Sequence, residues 1–336
     1  MGNFLENPVA RPVAFRGQGK GAAGFLFSLE ISKKGLSKLC SHAILAALLL
    51  QLCACSYHRA TTAPTETREV VDGLGRHVRV PAKIDRIVSL APNLTEIVYA
   101  IGAGNRMVGD TTFCDYPPEA RTVAKVGDTI HPSLERVVAL RPQVVLLSTS
   151  SQLEAFTQQL EQQHITVFVT DAHDLETVFR SVEQLSELLG QQEQAGRVAA
   201  LLRSRASAVE ERVKGRKPVR VFYQLSAEPL YTAGKSSYIT DMIRRAGGVS
   251  VTQDVEGEWL RLSDETALAA QPEAIILATA DSMGGGNTEV AAPLAKSPAA
   301  IQGHVYRING DFLSRPGPRL IEGLEQMARS LHPEAF

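Results

Sequence analysis

"SLERVVALRPQVVLL", Ser133 to Leu147, returns 130 residues later as "SDETALAAQPEAIIL", Ser263 to Leu277, without a gap. Both copies open with Ser, carry Glu two residues on, align Ala139 with Ala269 and Pro142 with Pro272, and close on an aliphatic run ending in Leu. A Ser ahead of helix-forming residues is a helix N-cap, and a Pro followed by four or five aliphatic residues reads as a turn into a buried strand. Each copy is therefore a capped helix leading into a strand, and its repetition predicts two similar lobes. Two equivalent surfaces, rather than one active site, are what such a repeat provides.

Outward from the first copy the same alternation continues. "RIVSL" contains a buried strand, Ile87 to Leu90; "APNLTEIVYAIGAG" is a loop and a helix opened near Asn93 or Thr95. Strand "RMVGDT" precedes the repeat, and helix 152–163, strand "TVFVT" and helix 175–189 follow it. Continuous apolar strands separated by helices indicate a parallel sheet covered on both faces. After Gly190 the pattern changes to "QQEQAGRVAALLRSRASAVEERVKG", with Val198, Leu201, Leu202 and Val209 forming an apolar stripe among charges. As one helix it spans about 36 Å, enough to brace two lobes. A second alternating region then runs through "VRVFYQL", helix 237–246, "VSVT", the second copy, "HVYRI" and helix 319–331. The fold class predicted is α/β: two similar lobes with parallel-rich sheets flanked by helices, residues 70–190 and 216–336, joined by one long rigid backbone helix, 191–215.

The N-terminal 55 residues read differently. Lys33, Lys34 and Lys38 precede the apolar run "AILAALLLQL", which gives way to "CAC" and polar residues. That run is too short for a bilayer, which needs about twenty residues, and has the profile of an export signal. "LCAC" resembles a bacterial lipobox, with Cys55 lipidated and Ala54 as the small cleavage-site residue. Residues 1–55 are thus expected to be leader and signal peptide, and the Thr-rich stretch 56–69 a flexible tether. The domain is expected outside the cytoplasm, anchored to a membrane by lipid. Cys114 is the only Cys beyond this region, so no internal disulfide is expected and a packed thiol is the simplest reading. With 35 Lys and Arg against 36 Asp and Glu, the chain has no polyanion-binding signature, which argues against nucleic acid.

The motifs of common catalytic sites are absent: no Gly-x-Ser-x-Gly, no His-Glu-x-x-His, no phosphate-binding Gly-x-x-x-x-Gly-Lys and no Cys-x-x-Cys. The eight His form no helical metal pair, "GGG" at 284–286 reads as a mobile loop, and no enzyme, cofactor or resident metal is expected. Glu135 and Glu265 have two readings. A carboxylate in the first helical turn is favoured by the helix dipole; alternatively, each lobe offers one carboxylate to a basic residue of a two-fold symmetric partner.

Four stretches carry a resemblance to a known family. "RIVSLAPNLTEIVYAIGAGNRMVGDTTFCDYPPEA", "SLERVVALRPQVVLL", "YTAGKSSYITDMIRRAGG" and "RPGPRLIEGLEQMARSLHPEAF" resemble the substrate-binding proteins of ABC importers for cobalamin, ferric siderophores and haem, over about residues 70–336. The resemblance implies a ligand held between two lobes with little closure. It also implies that Glu135 and Glu265 dock on a dimeric permease that works with its ATPase subunits. "TTFCDYPPEA" and "GDTIHPSLE" are most similar to the cobalamin-binding members. On that likeness Phe113 is expected against the corrin, Trp259 as the second-lobe tryptophan, and Asp311 and Arg315 as polar contacts; Tyr116, Tyr223, Tyr231 and Phe312 complete the expected ligand set. Flat aromatics suit a broad, partly apolar disc with amide arms. Thr129 stands where an aromatic is expected. Phe113, Tyr223, Tyr231 and Trp259 are also readable as core residues, and Arg315 as a brace for the last helix. Haem, through Tyr116, Tyr223, Tyr231 or His131, and a ferric siderophore are the alternative ligands. A chelatase-like enzyme acting on a metal or tetrapyrrole, or a tethered ligand sensor, is the alternative class.

Overall fold

Asp72 makes the first turn of the described chain: its Oδ1 accepts from the backbone N–H groups of Leu74 and Arg76, closing a hairpin between strands β1 (Thr67–Val71) and β2 (His77–Pro81). The computed structural model describes residues 66–151, 154–279 and 289–336, all within one compact unit. The leader, Cys55, most of the tether and the glycine run at 284–286 lie outside these residues.

The first lobe contains β3 (Ile87–Ser89), α1 (Pro92–Ala100), β4 (Met107–Gly109), α2 (Leu134–Ala139), β5 (Val144–Ser148), α3 (Glu154–Gln162), β6 (Val167–Thr170) and α4 (Leu175–Leu189). Its strands pair in parallel in the order β4-β3-β5-β6. Every residue of β3, β5 and β6 is buried, as apolar strands between two helical layers require. Helix α5 (Gln192–Val213) follows. The second lobe contains β7 (Val219–Gln224), β8 (Ser226–Ala227), β9 (Leu230–Ala233), α6 (Tyr238–Arg245), β10 (Gly248–Ser250), β11 (Trp259–Arg261), α7 (Asp264–Ala269), β12 (Ala274–Thr279), α8 (Pro298–Ile301), β13 (Val305–Asn309), α9 (Asp311–Ser314) and α10 (Leu320–Leu331). Its main sheet, β10-β7-β12-β13, is parallel and has the same topology as the first. The α/β class and the parallel sheets flanked by helices follow the sequence expectation.

The repeat is reproduced atom for atom at its turning points. Ser133 and Ser263 accept from the backbone N–H of Arg136 and Thr266. After each helix one residue, Arg141 or Gln271, takes a positive φ of 46° or 43°. Arg86 and Arg220 then donate to the carbonyls of the C-cap residues, Leu140 O and Ala270 O, while Gln143 and Glu273 accept from the N–H of Arg86 and Arg220.

Three expectations need correction. Leu201 is 60% exposed, and Val198 is only partly buried. The stripe that α5 buries is Ala195, Ala199, Leu202, Ala206, Val209 and Val213, at steps of four and three residues. Small alanines let both lobes pack close to one helix. The second lobe also carries an antiparallel sheet, β11-β9-β8, absent from the expectation of parallel sheets alone, and Trp259 stands in its strand β11. The expected helix opened near Asn93 or Thr95 begins at Pro92, a residue suited to a first turn whose N–H has no helical partner.

Candidate functional site

In open parallel sheets, ligands are held beyond the carboxyl ends of the strands, where connections leave in opposite directions. Here those ends supply Thr149 after β5 and Asp171 and His173 after β6. Thr149 Oγ1 donates to Asp171 Oδ1 at 2.7 Å, and His173 Nδ1 is 3.4 Å from Asp171 Oδ2. The opposing lobe is close: the N–H of Leu175, first residue of α4, donates at 3.1 Å to Asp241 Oδ2 on α6. Burial opposes the charge on Asp241, but Arg245 and Arg244 outweigh it and hold the carboxyl below its ordinary range. Across from Asp171 lies Glu258, whose carboxyl is raised by burial first and by the Asp171 charge second, and lowered by a hydrogen bond from Trp259.

Arg315 and Arg319 make a buried contact between the lobes. Arg315 reaches Glu96 on α1 at 3.1 Å, Asp115 at 2.8 Å and Asp311 at 3.0 Å, and donates to the carbonyl of Phe113 at 3.2 Å. Arg319 binds Glu96 with two nitrogens, at 2.6 and 2.9 Å, and lies 4.1 Å from the ring centre of Tyr116 and 5.5 Å from that of Phe312. The Arg315 and Glu96 side chains are each 1% exposed. A buried pair of this kind is strongly destabilised when one partner is lost, because the other charge is stranded. Two further arginines tie the lobes to α5: Arg203 to Glu176 and Glu183 on α4, and Arg205 to Glu322 and Glu325 on α10.

This arrangement redistributes the expected ligand residues. Phe113, Tyr231, Trp259 and Phe312 are half-buried. Trp259 pairs edge-on with Tyr238, ring centres 6.0 Å apart, and Tyr238 is fixed by donating to Leu313 O. Tyr116 is exposed and, with Tyr99, Leu201 and Arg205, lines a cavity of about 550 Å³ against α5. Two expectations are corrected. Tyr223 is fully buried in the core on β7, because the strand interior has both faces covered. Arg315 presents no surface to a ligand; it is consumed by three carboxylates and joins the lobes. Asp311, 9% exposed, belongs to the same cluster. Sequence reasoning missed Glu96, Asp115 and Arg319, although "RPGPR" carries the second arginine four residues after the first, in the link between α9 and α10.

Cys114 is packed as expected, hydrogen-bonded by Thr95 and Thr111, and burial pushes its thiol up. Among the described residues no three His, Cys, Asp or Glu side chains are placed to hold a metal ion, and no helix is long and apolar enough to cross a membrane.

Glu135 and Glu265 sit in the first turns of α2 and α7, both exposed. Their helices begin at the carboxyl-terminal edges of the two sheets, the same edges that hold the cleft residues. The Glu265 carboxyl is lowered by the backbone N–H at its own position and by Ser263.

Comparison with known proteins agrees with this geometry. The sequence profile of the periplasmic binding protein family matches residues 87–311. An ABC transporter substrate-binding lipoprotein of Bacillus subtilis (strain 168), itself uncharacterized, is 31% identical over 305 residues, covering 87% of this chain and 96% of its own. Among solved structures, the periplasmic vitamin B12-binding protein of Vibrio cholerae is 28% identical, with a TM-score of 0.67 over 74% of this chain and 97% of its own. The periplasmic haem-binding protein of Roseiflexus sp. RS-1 is 25% identical, with a TM-score of 0.66 over 75% and 100%.

Proposed function

Because the chain belongs to the periplasmic binding protein family and is a substrate-binding protein of an ABC importer, we propose that its cargo is cobalamin or a related corrinoid. On this reading the ligand is taken up between the lobes and delivered to a dimeric permease through Glu135 and Glu265. The observation that carries the delivery step is the pair of exposed carboxylates on matched helices at the cleft edges. A two-fold partner offers two equivalent basic sites, and a single asymmetric chain engages both only if it repeats its own acid.

The choice of a corrinoid rests on the cleft's charge as well as on the likeness to a vitamin B12-binding protein. Arg315 and Arg319 are neutralised by Glu96, Asp115 and Asp311, while Glu258, Asp171 and Thr149 leave acceptor oxygens. Acceptors suit the amide arms of a corrin and oppose the carboxylates of haem. Phe113 and Trp259, half-buried on opposite lobes, offer flat faces for the macrocycle. Lipid anchoring through Cys55 completes the proposal, and Cys55→Ala is expected to move the protein from the membrane fraction to the soluble one.

Titration of the purified domain with cyanocobalamin, by calorimetry and Trp259 fluorescence, tests the ligand, with haemin and a ferric hydroxamate in parallel. One-to-one cyanocobalamin binding with a change in Trp259 emission is expected. Binding of haemin or the iron chelate alone would replace the corrinoid and leave the importer assignment intact. Charge reversal, Glu135→Lys with Glu265→Lys, is expected to abolish uptake and leave ligand binding unchanged.

A further inference from the structure

The helices that carry Glu135 and Glu265 share a second exposed feature one turn further on. Val138 is 37% and Leu268 is 51% exposed, and they occupy equivalent positions of the two copies. Ala139 and Ala269, beside them, are exposed too. Residues three apart on a helix share a face, so each glutamate has an aliphatic neighbour with a small residue next to it. The intervening positions, Val137 and Ala267, are fully buried, so both helices are well seated and the outer face is presented, not left over from poor packing. A single exposed aliphatic residue is ordinary. The same kind of residue in both lobes, beside the same acid, does nothing for either lobe's own core.

We propose that Val138 and Leu268 are apolar anchors of the permease interface, each entering an apolar seat beside the basic residue that takes the neighbouring glutamate. The inference rests on the docking role of Glu135 and Glu265. Charge complementarity commits the surface to that partner: the Glu265 carboxyl accepts from its own backbone N–H and from Ser263, but neither glutamate forms an ion pair with a described side chain, so both negative charges are left for a cation from outside. The permease seat must therefore hold a basic and an apolar element about one helical turn apart, twice, in the two-fold related subunits. A charged contact at a rim steers encounter, whereas a desolvated apolar side chain beside it prolongs the complex.

The full chain, expressed in its own cells with benzoylphenylalanine in place of Val138, Leu268, Glu135, Glu265 or Ile301, is irradiated and its adducts identified by mass spectrometry. Ile301, 75% exposed on α8, is the apolar control. Adducts with a permease subunit are expected from the four docking positions and not from Ile301. Val138→Ser combined with Leu268→Ser should cut the yield from the Glu135 position by roughly tenfold or more, as expected from lost apolar burial. Adducts from the glutamate positions alone, or a yield unchanged by the double substitution, overturn the anchors and keep the docking role. Silence at all four positions overturns both. Circular dichroism of the double variant must match wild type; a folding defect would show that the pair serves the lobes themselves and would also overturn the inference.

Discussion

Helices α2 and α7 are built alike, whereas the segments that follow β4 and β10 share almost nothing. Both helices start on a capping serine, expose a glutamate in the first turn, are followed by a positive-φ residue and are latched by an arginine at the head of β3 or β7. After β4 the chain buries a charged pair: Asp110 is 2.7 Å from Lys125, whose ammonium also donates to the Cys114 and Ala120 carbonyls. At the end of β10 the buried polar groups are neutral: Ser250, its last residue, hydrogen-bonds with Thr252, whose hydroxyl donates to Ala233 O. The shared unit is governed by rules local to a helix and its strand. The divergent segments face different neighbours, and each solves its own burial problem.

The junction between the lobes is the severest test of this division. Arg315→Met removes the guanidinium that Glu96, Asp115 and Asp311 share and is expected to destabilise the protein by about 3–5 kcal/mol, lowering the melting temperature by roughly 10 °C. Glu135→Ala should leave the melt within about 1 °C of wild type, since an exposed residue contributes little. A melt of the Arg315 variant that matched wild type would mean that the lobes are held together elsewhere.

The charged and neutral solutions predict opposite responses to pH. Burial pushes the Asp110 carboxyl up to about 7 against an ordinary value near 3.8, outweighing Lys125. A raised carboxyl favours the protonated form in the folded state. Its stabilising contribution is therefore complete below the unfolded value and is lost as pH rises through about 7. Asp110→Asn should flatten that decline, with a difference on the order of a few kcal/mol between pH 4 and pH 8 in urea unfolding. Ser250→Ala, at the neutral counterpart, should shift stability equally at both pH values.

Smaller effects probe the likeness itself. Ser133→Ala and Ser263→Ala should each cost about 1 kcal/mol, and unequal losses would show that one cap has acquired another support. Arg141→Gly and Gln271→Gly relieve a left-handed backbone worth about 1 kcal/mol, offset in large part by the freer unfolded chain. The net gain should be about 0.5 kcal/mol or less at each site, read from matched urea midpoints.

Much of the fold was legible because the signals were local. Continuous aliphatic runs marked β5 and β12, Gly190 closed α4, and the spacing of the repeat announced two similar sheets. The antiparallel sheet around Trp259 was not legible, since "EWLRL" is short and its partner lies at Leu230–Ala233, after a separate turn. At the site, the exposed glutamates followed from the cap pattern. Arg315 was placed at the ligand by resemblance, and only the positions of Glu96 and Asp115, 219 and 200 residues away in sequence, reveal it as a brace between lobes.

The sequence by itself determined the class of fold, the duplication, the connecting helix and the two outward carboxylates, because caps, periodicity and strand hydrophobicity act over a few residues. Only the tertiary structure decided which polar groups remain for a ligand and which are spent on one another. That choice depends on distance between segments remote in the chain, and a buried arginine is identical in sequence to an available one until the carboxylates that neutralise it are in place.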